Sequence, residues 1–279
     1  MFKKGSFYML AVFLCLGTAI ALAADESTEW RRRKVQKEQA ASAGTTSEDV
    51  AEEIRFGREI AARIIGRCGL YEDDDLLKYV NLVGRSVAMN ADRPELLFRF
   101  AVLDTDEINA YAAPGGYVFV TRGAINHMQD ESELAGTLAH EIAHVTRRHI
   151  VKELNIQAGD ASAASGFARL VGGTSEAART AFARAVDKAL DMLFKDGYKR
   201  EDEVEADKTG VSFAAFAGYE PAGLPRYLER IGPAKEKNTE VLDKTHPGYQ
   251  ERIAWLAETI KAEGLDAAGT KQGKERFLK

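Results

Sequence analysis

Residues 137–150 read TLAHEIAHVTRRHI and contain three of the five histidines of the chain. On an α-helix, positions i and i+4 lie one above the other, so His140 and His144 can direct their rings at one point. A metal ion suits such a point. The spacing is His-Glu-x-x-His, in which two imidazoles bind zinc and the glutamate between them, here Glu141, handles a proton. His149 falls about 180° from His140 around a straight helix. On that geometry it points away from the ion and serves the helix end.

Around the same helix Leu134, Leu138, Ile142 and Val145 form an apolar stripe, and Ala135, Gly136, Ala139 and Ala143 form a small-residue side. A helix with an apolar, a small and a histidine face is packed from several directions, as a site at the centre of a domain requires. Its start is expected near Asp130, with Glu133 as a reciprocal cap.

A catalytic zinc needs a third protein ligand and one open position. The extended zincin pattern would place a histidine at 150 and a glycine at 147, but these positions hold Ile150 and Arg147, which excludes it. A glutamate from a later helix is the other common solution. The stretch YKREDEVEADKTG, residues 198–210, offers Glu201, Glu203 and Glu205. Glu203 and Asp207 are four apart and share a helix face, whereas Glu201 and Glu205 lie on the far side. Glu203 is thus expected as the ligand, and Asp207 as acceptor of the free ring N–H of a ligand histidine. A solvated acidic helix is the plainer reading of this stretch.

Working outward, the chain has 279 residues and is 45% hydrophobic, enough for a sizeable core. Residues 1–23 combine a basic Lys3-Lys4 head, an apolar run and Ala21-Leu22-Ala23, which reads as a secretory signal. An uncleaved N-terminal anchor is the alternative. Loss of that segment leaves 36 basic against 43 acidic residues, a net charge of −7. Nucleic acid is an unsuitable partner for such a chain, and with no second long apolar run any membrane contact is at most peripheral. Cys68 then stands alone, so no internal disulfide is expected.

Residues 24–46 read as a flexible polar leader and 263–279 as a polar C-terminal tail. Between them, 47–262 reads as one domain. Helical spacing covers Ser47 to Arg67, with Ser47 as cap, and about Asp74 to Met89, with Leu76, Leu77, Val80, Val83 and Val87 inward. The period then changes to two, with Phe98, Phe100 and Val102 set against Arg99 and Ala101, and two extended pieces flank Pro114-Gly115-Gly116. The second, Tyr117 to Thr121, offers Tyr117, Val118, Phe119 and Val120 as a strand edge for an extended substrate, ordinary sheet pairing being the rival reading. Residues 155–175 are small and weakly patterned, suggesting a mobile loop or weak helices, and three helical stretches follow at about 176–194, 199–216 and 247–262. No internal repeat is visible. The expected fold is α+β, mainly helical, a zincin-like domain with a small sheet beside the active-site helix.

The set HEIAH, Glu203-x-x-x-Asp207, the preceding NAYAAPGGYVFVTRGAI and the later THPGYQERI, in this order, resembles the HtpX and CAAX prenyl protease family of zinc metallopeptidases. The likeness is strongest to its soluble periplasmic BepA-like members and covers roughly residues 47–262. It implies His140, His144 and Glu203 as ligands of one zinc ion and Glu141 as the catalytic acid/base. The chain departs from the family's prenyl protease branch in lacking several membrane helices, and from some periplasmic members in lacking a repeat domain.

The reading that follows is a zinc endopeptidase acting on unfolded or misassembled envelope proteins. His246 and Arg252, in THPGYQERI, are candidate donors to the oxyanion, with capping and packing of the last helix as their plainer roles. The competing class is a chaperone or assembly factor that holds such proteins with little or no cleavage. A zinc hydrolase of small molecules is disfavoured, because no compact apolar pocket is suggested by the sequence.

Overall fold

The computed structural model of the protein describes residues 47–154, 175–235, 248–265 and 277. His246, the segment 155–174 and residues 1–46 lie outside the described residues, so the expectations placed on them carry no structural account here.

Helix α1 (Ser47–Cys68) begins with Ser47 already inside its first turn rather than as its cap. Helix α2 (Asp74–Ala88) is capped by Asp73, whose carboxylate accepts from the N–H groups of Asp75 and Leu76. Val80, Val83 and Val87 of α2 are buried as their spacing requires, but Leu77 is 37% exposed, at the edge of the stripe. The chain then enters three strands, β1 (Arg99–Leu103), β2 (Ala110–Ala113) and β3 (Tyr117–Thr121). Their order in the sheet is β1-β3-β2, with β1 parallel and β2 antiparallel to β3.

This order corrects the substrate reading of Tyr117 to Val120. β3 is the central strand, its backbone pairing with Arg99–Leu103 on one side and Ala110–Ala113 on the other, so it has no edge to offer. The turn at Pro114-Gly115-Gly116 folds β2 back on β3 and thereby puts β2 at the border. Gly115 and Gly116 sit at φ of 76° and 95°, and a Cβ on Gly115 would fall 2.6 Å from the Cα of Ile54 in α1. The turn is thus held close against α1.

Both sheet faces are covered. Val102, Val118 and Val120 point into the larger core, and Leu103, Tyr111 and Phe119 into a second core beneath α1. Covering on both sides fits the unbroken apolar runs of β2 and β3, whereas β1 begins with an exposed Arg99.

After the short α3 (Arg122–Asn126) comes α4 (Glu131–Thr146), every residue of which is buried. Its cap Asp130 accepts from the Glu133 N–H at 3.0 Å, and the Glu133 carboxylate returns a bond to the Gln129 N–H at 2.8 Å, one residue earlier than a capping box requires. There follow α5 (His149–Glu153), α6 (Glu176–Asp191), a π-helical turn at Met192–Asp196, α7 (Arg200–Phe216), α8 (Gly223–Lys235) and α9 (Tyr249–Ala262). The expected stretch 176–194 therefore changes winding at Met192. Helix α8 is absent from the sequence reading. Pro225, Gly232 and Pro233 argue against a helix there, yet Pro225 falls in the first turn, where its missing N–H is harmless, and Leu224, Tyr227, Leu228 and Ile231 are spaced for one buried face. α8 matters to the centre of the fold, for Arg226 and Arg230 clamp Asp130 and Glu133 at the start of α4. The architecture is α+β, mainly helical, and zincin-like.

Candidate metal centre

Helices α4 and α7 cross at close range because Gly210 faces the motif helix. A Cβ there would lie 2.8 Å from the backbone nitrogen of His140. One turn earlier Asp207, and one further turn earlier Glu203, enter the same interface, both fully buried.

His140 Nε2 and His144 Nε2 face one another at 3.0 Å, with carboxylate oxygens of Glu203 3.5 Å from the first and 3.4 Å from the second. His140, His144 and Glu203 thus form a three-residue group that can hold a metal ion. Four buried polar side chains around one point, Glu141 included, are costly to keep unless they are matched to a charge or to one another.

The other ring nitrogens define the tautomers. His140 Nδ1 lies 2.9 Å from Asp207 Oδ1, so its proton is on Nδ1 and its Nε2 lone pair faces Glu203. Arg252 of α9 holds Asp207 from the far side, donating from Nε at 3.0 Å and from Nη2 at 2.7 Å. Its Nη2 also comes within 3.2 Å of His140 Nδ1, where two donors converge on one carboxylate. Burial works against charge on Asp207, but Arg252 and His140 outweigh it and hold the carboxyl below its usual range. Burial and then Arg252 push the His140 imidazole down to about 4, keeping it neutral, as a metal ligand must be.

His149 does not point away. After Arg147 the chain leaves the helix, and Arg148 adopts the left-handed region at φ 57° and ψ 38°. Arg148 is held there by the buried Glu53, 3.0 Å from its guanidinium, which also receives Arg93 at 3.2 Å and the Gly115 N–H at 3.4 Å. The straight-helix assumption fails at this residue, and His149 is brought under His144, Nδ1 to Nδ1 at 2.8 Å. Its Nε2 lies 3.2 Å from Glu205 Oε2. Tyr198, following the turn at Gly197, stacks on the His144 ring at 3.9 Å between centroids. Neither contact is readable from helical spacing.

Glu141 is buried beside the group, and burial, more than any neighbouring charge, raises its carboxyl to about 7. On one side of His140 and Glu141 opens a cleft of ≈ 450 Å³, space open to solvent included, bordered by Asn109 and Ala110 at the start of β2 and by Leu224 and Leu228 of α8. The apolar wall comes from the helix that the sequence reading lacks, which is why no pocket was expected. Arg252 borders the same cleft, but its guanidinium is committed to Asp207.

Among the described residues no helix is long and apolar enough to cross a membrane. The chain is 28% identical over 220 residues to the beta-barrel assembly-enhancing protease of Escherichia coli (strain K12), covering 76% of this chain and 44% of that one. It is 31% identical over 212 residues to the putative beta-barrel assembly-enhancing protease of Vibrio cholerae serotype O1, covering 73% and 43%. Metalloprotease LoiP of Escherichia coli (strain K12) is 24% identical over 169 residues, covering 60% and 64%. The chain therefore spans less than half the length of the first two relatives. The sequence profile of Peptidase family M48 matches residues 76–260, across the sheet, the motif helix and the helix that brings Glu203 and Asp207 to it, and the chain belongs to that family of metalloproteases.

Proposed function

We propose that the protein is a zinc endopeptidase that cleaves unfolded or misassembled envelope proteins, secreted across the inner membrane to the periplasm by residues 1–23. The observation that carries this reading is the donor set. Around a tetrahedral zinc with bonds of about 2.0–2.1 Å, neighbouring donor atoms stand about 3.3–3.4 Å apart. The separations of 3.0, 3.5 and 3.4 Å among His140, His144 and Glu203 fit one such ion, and two neutral imidazoles with one carboxylate are a common catalytic zinc set.

Held by His140, His144 and Glu203, a zinc ion would supply Lewis acidity and lower the pKa of a bound water. Glu141, buried beside His140, His144 and Glu203, would take a proton from the attacking water and return it to the leaving nitrogen. Asp207 fixes the His140 ring, and Arg252 keeps Asp207 ionised and in place while bordering the cleft where negative charge develops. The cleft takes an apolar side chain against Leu224 and Leu228. β2 pairs with β3 on one side only among the described strands, and Ala110 borders both the cleft and Glu141. Its outer edge is the backbone that an extended, unfolded segment would pair with.

The names of the similar proteases in Escherichia coli and Vibrio cholerae, which speak of β-barrel assembly, support an envelope substrate. The test is zinc content together with cleavage of unfolded casein by the parent chain and by Glu141→Gln. Zinc in both and cleavage by the parent alone are expected. Zinc-loaded parent protein that binds casein without cutting it would assign the chain to the holding class instead.

A further inference from the structure

We propose that His149 is a positioning residue for His144, and that His144, His149 and Glu205 form a directed hydrogen-bond chain that fixes the His144 tautomer for metal binding. The inference rests on the reading of His144 as a zinc ligand and concerns residues to which that reading gives no role.

The two Nδ1 atoms, 2.8 Å apart, form a hydrogen bond only if one ring carries its proton there and the other does not. His144 must leave Nε2 bare to face His140 and Glu203, so its proton is on Nδ1 and it donates. His149 then accepts at Nδ1 and carries its own proton on Nε2, which faces Glu205 Oε2 at 3.2 Å and Asp202 Oδ1 at 3.7 Å. One assignment satisfies all three groups, and reversing the chain would put a proton where the metal belongs. The two ligand histidines are thus oriented alike at Nδ1, His140 directly by a carboxylate and His144 through a second imidazole ending on a carboxylate.

The backbone shows what this arrangement requires. A non-glycine residue in the left-handed region is strained and persists only where its surroundings over-determine it. Arg148 is held there through buried Glu53, and the consequence of its conformation is the placement of His149. His149, Asp202 and Glu205 also resemble a second ion site. However, Arg147 Nε at 3.5 Å and Lys152 Nζ at 3.7 Å already stand on Glu205, so two cations occupy the position that such an ion would need.

The test compares His149→Asn, whose side-chain oxygen can replace the Nδ1 acceptor, with His149→Gln, which reaches toward Glu205 but offers His144 no acceptor at that depth, and with His149→Leu. Zinc affinity is read by competition with a chromogenic chelator, and the melting temperature of each metal-free form is read beside it. The expected order is parent, then Asn within a few-fold, then Gln and Leu weaker by about 10–100-fold, the usual range for losing such a partner, with metal-free Asn and Gln forms melting together. Glu205→Ala, at a half-exposed position that poses little folding risk, is expected to weaken zinc a few-fold. Equal zinc affinity for Asn and Gln, or affinity that follows the metal-free melting temperature, overturns the inference, as does parent-like affinity in all variants. A parent chain that binds no zinc overturns the functional reading itself, and this inference with it.

Discussion

Gly210 in α7 faces the backbone of His140 in α4 so closely that an added Cβ would lie 2.8 Å from the His140 nitrogen. Backbone cannot yield as a flexible side chain can, so Gly210→Ala must push the two helices apart at the level of His140. Overpacking of this kind costs roughly 1–3 kcal/mol. The expected result is a lower melting temperature together with weaker zinc binding, because Glu203 and Asp207 ride on the same helix. A variant that melts like the parent and holds zinc equally would show that α7 is not fixed at this crossing.

Glu141 is buried beside His140, His144 and Glu203, and Glu141→Gln removes the proposed base without change of shape. Zinc content should stay near normal while turnover of unfolded casein falls by at least ~10²-fold, the scale of an acid/base contribution. Normal cleavage by this variant would sink the peptidase mechanism.

The three glutamates of α7 are distinguishable by metal analysis. Glu203→Ala should lose zinc outright, since it removes one of the three proposed donors, and Glu201→Ala should leave it unchanged, because residue 201 is exposed. Glu205→Ala should fall between them through its bond to His149. Equal loss for all three would indicate disruption of the helix rather than loss of a ligand.

Much of this site is written in spacing. The intervals 140–144 and 203–207 place two residues each on a helix face, a period of two marks β1, and the Pro114-Gly115-Gly116 turn marks the extended pieces on either side of it. What spacing cannot carry is a change of direction. His149 comes under His144 because Arg148 turns left-handed in response to Glu53, ninety-five positions earlier in the chain. The central place of β3 depends on long-range pairing with β1, and α8 is hidden by prolines whose harm depends on where the helix starts. Local patterns therefore reveal donors, and tertiary contacts decide which of them meet.

Arg252 and Asp207 are both buried, with two bonds between them. Removing one partner of such a pair is expected to cost about 3–5 kcal/mol, because the other charge stays buried alone. Arg252→Met should therefore lower the melting temperature of the metal-free protein as well as turnover. A variant with normal stability and reduced turnover would assign Arg252 to the oxyanion alone.

His246 precedes Arg252 by six positions, and Arg252 approaches within 3.2 Å of His140. Gly248 caps α9, and Arg252 in the first turn of that helix touches Asp207, the partner of His140; His246 itself lies outside the described residues. A neutral imidazole at residue 246 would be able to bind a zinc ion held by His140, His144 and Glu203, or to donate to the oxyanion. If the proposed secretion and zinc endopeptidase activity hold, such a protease needs restraint in its own compartment, which favours the blocking role. His246→Ala should then keep its zinc and cleave unfolded casein faster than the parent. A large fall in turnover with zinc intact would instead place His246 in the transition state, and no change in either quantity would leave it a packing residue before Pro247.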